Sequence, residues 1–168
     1  MNNKIRVGIS SCLLGEQVRY DGGHKLDHYL KYTLGEYVEW VAVCPEVEAG
    51  LPVPREPMRL VGDPESPRLV MIKTGIDLTE RMQEWSENKL REPEMTDLRG
   101  FVFKSGSPSC GVKGVEVFSP SGQLNGRGTG FFCAVFMKRF PRALVADEVG
   151  LQDTEYRSKF IDLIGCFR

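Results

Sequence analysis

The chain has no Cys-x-x-Cys pair, no long apolar run and almost no net charge, and each absence removes a class of protein. Its five cysteines are an odd number and are scattered, at positions 12, 44, 110, 133 and 166. A disulfide framework is therefore not expected at this size, and a thiol–disulfide enzyme lacks its usual paired motif. The formal net charge of -1 argues against a nucleic-acid or anionic-membrane partner held by bulk charge. No apolar stretch approaches a membrane span, and Met1–Ser10 lacks the apolar segment of a signal peptide. Cytoplasmic residence is the resulting expectation. Internal repeats, low-complexity segments and linkers are also missing. The 168 residues read as one domain, 1–168, with enough chain for a real core.

What is present is a layout used three times. Phe101, Val102 and Phe103 form a short apolar run that stops in Ser105-Gly106-Ser107-Pro108-Ser109, just before Cys110. Ile5, Val7 and Ile9 lead likewise into Ser10-Ser11-Cys12, and Val41-Ala42-Val43 into Cys44-Pro45-Glu46. In an open α/β sheet, ligands bind beyond the carboxyl ends of the strands. Cys12, Cys44 and Cys110 are thus expected to meet at one metal centre, with Gly111 leaving room for something bulky.

The rest of the chain alternates strands with helices. Leu26, Tyr29, Leu30 and Leu34 have helical spacing, closed by Gly35. Pro45–Pro57 carries four prolines and reads as a rigid loop. Arg59–Val61 and Arg68–Ile72 predict a β-hairpin beside the main sheet. Asp77-Leu78-Thr79-Glu80 has the form of a capping box opening a helix, with Leu78, Met82 and Trp85 inward and Pro93 breaking or restarting it. Val115–Phe118 alternates as a short strand. Phe131–Phe140 predicts a helix, Ala143–Ala146 a strand, and Asp153 the N-cap of a last helix burying Tyr156, Phe160, Ile164 and Phe167. The expected fold is α/β: a single Rossmann-like domain with a small, mostly parallel sheet flanked by helices and an added β-hairpin.

Ligand count narrows the metal. A structural zinc needs four protein ligands, and the remaining candidates are poor. Cys133 and Cys166 sit in helical, apolar contexts, and His24 and His28 lie at and after the Asp-Gly-Gly turn as solvated polar residues. Three thiolates without a fourth ligand suit an iron–sulfur cluster with one open iron. Glu46, two residues past Cys44, is either a solvated loop carboxylate or, beside a metal, a general acid–base group. Ser107 is either a turn former or a hydrogen-bond donor to a ligand. Ser10, Ser11, Ser105 and Ser109 read as loop stabilisers, and Asp21 as closing its own turn. The glycine run Gly126–Gly130 before a helix has the look of a phosphate cradle but lacks a Walker lysine, so tight packing is the preferred explanation.

Several of these stretches together resemble the thiouracil desulfidase family. They are Ser10-Ser11-Cys12-Leu13-Leu14-Gly15, Val18-Arg19-Tyr20-Asp21-Gly22, Val43-Cys44-Pro45-Glu46-Val47-Glu48-Ala49-Gly50-Leu51, Pro54-Arg55, Lys104 to Gly111, and Gly128-Thr129-Gly130-Phe131-Phe132. The resemblance runs from about Ile5 to the final helix. It implies a [4Fe-4S] cluster held by Cys12, Cys44 and Cys110, and a free iron that takes the sulfur of a thiolated pyrimidine. It also implies substrate binding and proton transfer by Glu46 and Ser107. The expectation is a cytoplasmic, non-redox desulfidase acting on a small thiolated nucleobase, as a monomer or homodimer. The alternative is a non-catalytic iron–sulfur or metal-binding protein serving as sensor, carrier or subunit.

Overall fold

A computed structural model describes residues 3–165. Cys166 and Phe167, expected above to be core residues, lie outside them. Strand β1 (Ile5–Ser10) pairs in parallel with β2 (Val38–Val43) on one side and β5 (Gly100–Phe103) on the other; β8 (Leu144–Asp147) extends the sheet beyond β5, also in parallel. The order β2-β1-β5-β8 puts the chain's reversal of direction between β1 and β5. In doubly wound sheets that crevice, outside the carboxyl ends, is where ligands sit. Val7, Ile9, Phe101, Val102 and Phe103 are buried, as near-continuous apolar strands covered on both faces must be.

The expected hairpin is half of a second sheet. Strand β3 (Met58–Asp63) pairs antiparallel with β4 (Ser66–Met71) and in parallel with β6 (Val115–Phe118), and β6 pairs antiparallel with β7 (Leu124–Gly128). β7 is mostly exposed and glycine-rich, so it lacks the period-two alternation that marks a half-buried strand. The fold class stays α/β, with a parallel sheet and a mixed sheet flanked by helices.

Helix α1 (Pro45–Glu48) lies within the stretch expected to be loop. Its proline occupies the first turn, where a missing N–H costs nothing. α2 (Thr79–Lys89) begins two residues after Asp77, whose Oδ1 accepts the Thr79 amide at 2.9 Å, and the chain restarts at Pro93 as α3 (Pro93–Thr96). The helix expected near Leu26–Leu34 is one turn of π-helix, Tyr29–Thr33, running into a 3-10 turn, Leu34–Glu36; Leu30 and Leu34 are buried as anticipated. In α5 (Thr154–Ile164), Asp153 caps the helix by accepting the Tyr156 amide at 2.8 Å. Phe160 and Ile164 are buried, but Tyr156, on the first turn, is 44% exposed, its ring lying beside Gly150 in the preceding 3-10 turn.

Helix α4 (Phe131–Arg139) fixes the edge that matters most. Phe132 and Phe136 pack edge-on against Phe101 and Phe103, themselves stacked with centroids 4.0 Å apart. Each fully buried phenyl ring contributes about 1.5–3 kcal/mol of transfer free energy. Phe132→Ala is expected to cost roughly 3–5 kcal/mol and to loosen α4 from β5.

Candidate active site

The three strands end as expected and deliver their cysteines to one place. Cys12 lies in a 3-10 turn, Ser11–Leu14, directly after β1; Cys44 is the N-cap of α1 after β2; Cys110 follows the turn after β5. All three are free and buried, and all three line one cavity of about 250 Å3 that also carries Glu46 and Ser107.

Local backbone chemistry sets the Cys110 turn. Ser107 Oγ accepts the amides of Ser109 at 3.2 Å and Cys110 at 3.1 Å, and Gly111 N donates to Ser107 O at 2.8 Å. Gly111 is required for this tight turn rather than for a ligand. A Cβ there would fall 2.2 Å from Val115 Cγ2 and 2.9 Å from Ser107 O. α4 then clamps the turn from behind: Phe131 N donates to Pro108 O at 2.8 Å, and Phe132 and Cys133 N to Ser109 O at 2.9 and 3.1 Å. These amides are the ones a phosphate cradle would need, so Gly126–Gly130 makes no anion site at α4. A Cβ on Gly130 would sit 2.6 Å from Gly111 N, which explains the glycine.

Glu46 is 8% exposed, on the first turn of α1. Ser109 Oγ donates to its Oε1 at 2.7 Å, and Cys44 Sγ lies 3.6 Å from its Oε2. A carboxylate with both oxygens located at a thiol-lined cavity is not a solvated loop residue. Ser109, read from the sequence as a loop stabiliser, is therefore also a partner of Glu46. The only sequence signal was its place immediately before Cys110.

Three cations that the sequence reading left without a role also line the cavity: Arg19, Arg55 and Lys104. Arg55 is held by Val18 O at 2.9 Å and Pro52 O at 3.2 Å. Lys104 Nζ reaches Glu148 Oε1 at 2.8 Å, and Glu148 also accepts the Ser105 amide at 2.8 Å. Asp21 accepts the Gly23 amide at 2.9 Å, closing its own turn as expected.

The thiols show what the cavity requires. Burial pushes Cys110 well above the ordinary thiol value, with Glu46 adding to the rise. Burial and Glu46 likewise push Cys44 up to about 12. Cys12 is raised by burial, with Arg19 and Lys104 pulling it back. Desolvated thiols gathered around a carboxylate are poor as free thiolates and stay protonated until a cationic centre takes the proton's place. Among the described residues, no three His, Cys, Asp or Glu side chains gather closely enough to share a single metal ion. The three thiols line one cavity, which fits a cluster in which each cysteine ligates its own iron. The donor set, soft sulfur with no imidazole, fits the same group.

A parallel α/β sheet that carries three free thiols and a buried carboxylate on one cavity at its carboxyl edge has the donor set of a thiolate-held metal centre. The 2-thiouracil desulfurase family profile matches residues 7–148, and the chain belongs to that family. It is 28% identical over 149 residues to YbbK of Bacillus subtilis (strain 168), described as uncharacterized, covering 84% of this chain and 95% of that one. The solved structure of the [4Fe-4S]-dependent thiouracil desulfidase TudS superposes with a TM-score of 0.69 at 31% identity, covering 94% of this chain and 99% of its own. Among the described residues, no helix is long and apolar enough to cross a membrane.

Proposed function

We propose that this protein removes sulfur from a thiolated pyrimidine base of the thiouracil type, giving the oxo base and sulfide, with a [4Fe-4S] cluster held by Cys12, Cys44 and Cys110. The observation that carries the reading is the buried Glu46 carboxylate on the same 250 Å3 cavity as the three thiols. A carboxylate on the cavity beside the thiols supplies an acid–base group, which hydrolysis of a C–S bond needs and a carrier or sensor does not require. Family membership and the named activity of the TudS structure support the same chemistry.

When bound, a cluster with three protein thiolates supplies an open iron, a Lewis acid suited to a soft thiocarbonyl sulfur. The chain's own residues supply the proton traffic. Glu46 takes a proton from the water whose oxygen bonds to the ring carbon carrying sulfur. As the added hydroxyl loses its remaining proton to become the carbonyl, the C–S bond breaks, both water protons pass to the departing sulfur, and the products are the carbonyl base and hydrogen sulfide. No electrons are transferred. Ser107, held on the cavity wall by two backbone amides, keeps its hydroxyl hydrogen free to orient the base. Residues 1–168 form one such domain in the cytoplasm in this reading.

The test is direct. Protein reconstituted with iron and sulfide without oxygen, freed of excess reagent and given thiouracil, releases uracil and sulfide in equal amounts. Cluster-loaded protein that binds thiouracil and leaves it unchanged over many hours overturns the enzymatic reading in favour of a binding protein.

A further inference from the structure

We propose that Ser109 is a positioning residue for Glu46, the hydroxyl that holds the base in place once the thiols are ligated. The inference rests on the reading of Glu46 given above and goes beyond it. Ser109 is fully buried, and its hydroxyl donates to Glu46 Oε1 at 2.7 Å across 63 residues of sequence. The rest of Ser109 cannot move. Its amide donates to Ser107 Oγ at 3.2 Å, and its carbonyl accepts from Phe132 and Cys133 at 2.9 and 3.1 Å. The first turn of α4 thus fixes the Ser109 backbone, and the Ser109 hydroxyl carries that rigidity to Glu46.

The second hydrogen bond to the Glu46 carboxylate comes from the Cys44 thiol, at 3.6 Å. Ligation removes the thiol proton, because the metal ligand is the thiolate. Among the described residues, Ser109 is then the one side chain left donating to the carboxylate. A hydrogen bond to a charged group is the strong kind, and its loss matters most where the position of the charge matters.

Five proteins test this: wild type, Ser109→Ala, Glu46→Gln, the double variant, and Ser109→Thr, which restores the hydroxyl. Iron per chain, kcat and KM for thiouracil are measured on the cluster-loaded forms, and the carboxylate stretch by infrared difference spectroscopy on the iron-free forms. Ser109→Ala is expected to keep its iron, lose roughly 10–100-fold in kcat with little change in KM, and shift a carboxylate band. Ser109→Thr recovers part of the rate. In the Glu46→Gln background, Ser109→Ala changes neither the rate nor a carboxylate band, since the hydroxyl then holds an amide that accepts no proton. Loss of iron in proportion to activity in Ser109→Ala overturns the proposal in favour of a scaffold role. So does an equal rate loss in both backgrounds, or an unshifted carboxylate band. Full turnover in Glu46→Gln alone removes the base from the mechanism; the infrared shift still reports whether Ser109 holds the carboxylate.

Discussion

Lys89 Nζ lies 3.0 Å from Glu48 Oε1, while the other oxygen of Glu48 accepts the Cys44 amide at 2.9 Å. The end of α2 therefore reaches a cysteine of the site through one carboxylate. Lys89 is buried and also pairs with Glu92 at 2.9 Å and Glu94 at 3.4 Å. Burial alone lowers the basicity of the ammonium, but Glu92 and Glu48 outweigh it and hold Lys89 above the ordinary lysine value.

Glu48→Ala is accordingly expected to destabilise the iron-free protein by about 1–3 kcal/mol, the cost of leaving a poorly solvated amide without its acceptor. It should also lower iron retention under a chelator. Glu48→Gln keeps an acceptor for Cys44 and falls between. Melting curves and iron loss measured together check this. Unchanged values for Glu48→Ala would make the contact incidental.

Glu148 predicts a pH dependence. Burial alone would raise its carboxyl, but Lys104 and Ser105 outweigh that and hold it below the ordinary value. A depressed carboxylate contributes stability that is present above the unfolded value, about 4.3, and is lost as pH falls through the folded one. In the iron-free protein, Glu148→Gln should melt below wild type at neutral pH, with the gap closing below about pH 4. A gap of constant size from pH 7 to pH 3 would show that the charge is not what Glu148 contributes.

The cysteines divide cleanly. Cys12→Ala, Cys44→Ala and Cys110→Ala should each abolish or strongly reduce the brown colour of anaerobic protein. Cys133→Ala should keep it. Cys133 is fully buried within the phenylalanine cluster of α4, contacts Met137 and lines no part of the cavity. Full iron in Cys110→Ala would break the three-ligand assignment.

The chemistry of Glu46 is separable from its packing. Glu46→Gln preserves length and the Ser109 contact but cannot accept the proton. Iron should remain normal while turnover falls by roughly 10²–10⁴-fold, the contribution of a positioned acid–base group. Sulfide release per iron, compared with wild type, measures it. An undiminished value would move the proton to another acceptor.

How much of this was legible in the residues depended on how far apart the interacting groups lie. The sheet strands announced themselves, because β1, β2 and β5 are apolar runs stopped by Ser, Pro or Cys, and their equivalent ends placed the three thiols together. Glu46 stood out because it follows a ligand by two residues. β7 did not stand out, since an exposed strand of Asn, Gly and Arg has no hydrophobic period. Pro45 read as a loop although proline at a helix's first turn is favourable. Arg19, Arg55 and Lys104 reach the cavity from three separate segments, and the partner of Ser109 lies 63 residues away. Contacts of that range leave no mark in local spacing. The glycines at Gly111 and Gly130 were visible, but what each makes room for, Val115 and the Cys110 turn, was not.

The central claim is that sulfur removal belongs to a cluster held by Cys12, Cys44 and Cys110. The measurement that tests it most directly is sulfide released from thiouracil by protein loaded without oxygen with increasing amounts of iron plus sulfide and then freed of excess reagent. The account predicts release that rises with bound iron, saturates at about four irons per chain, and is lost or sharply reduced in Cys110→Ala. Release by iron-free protein, or by protein loaded with zinc alone, would contradict it.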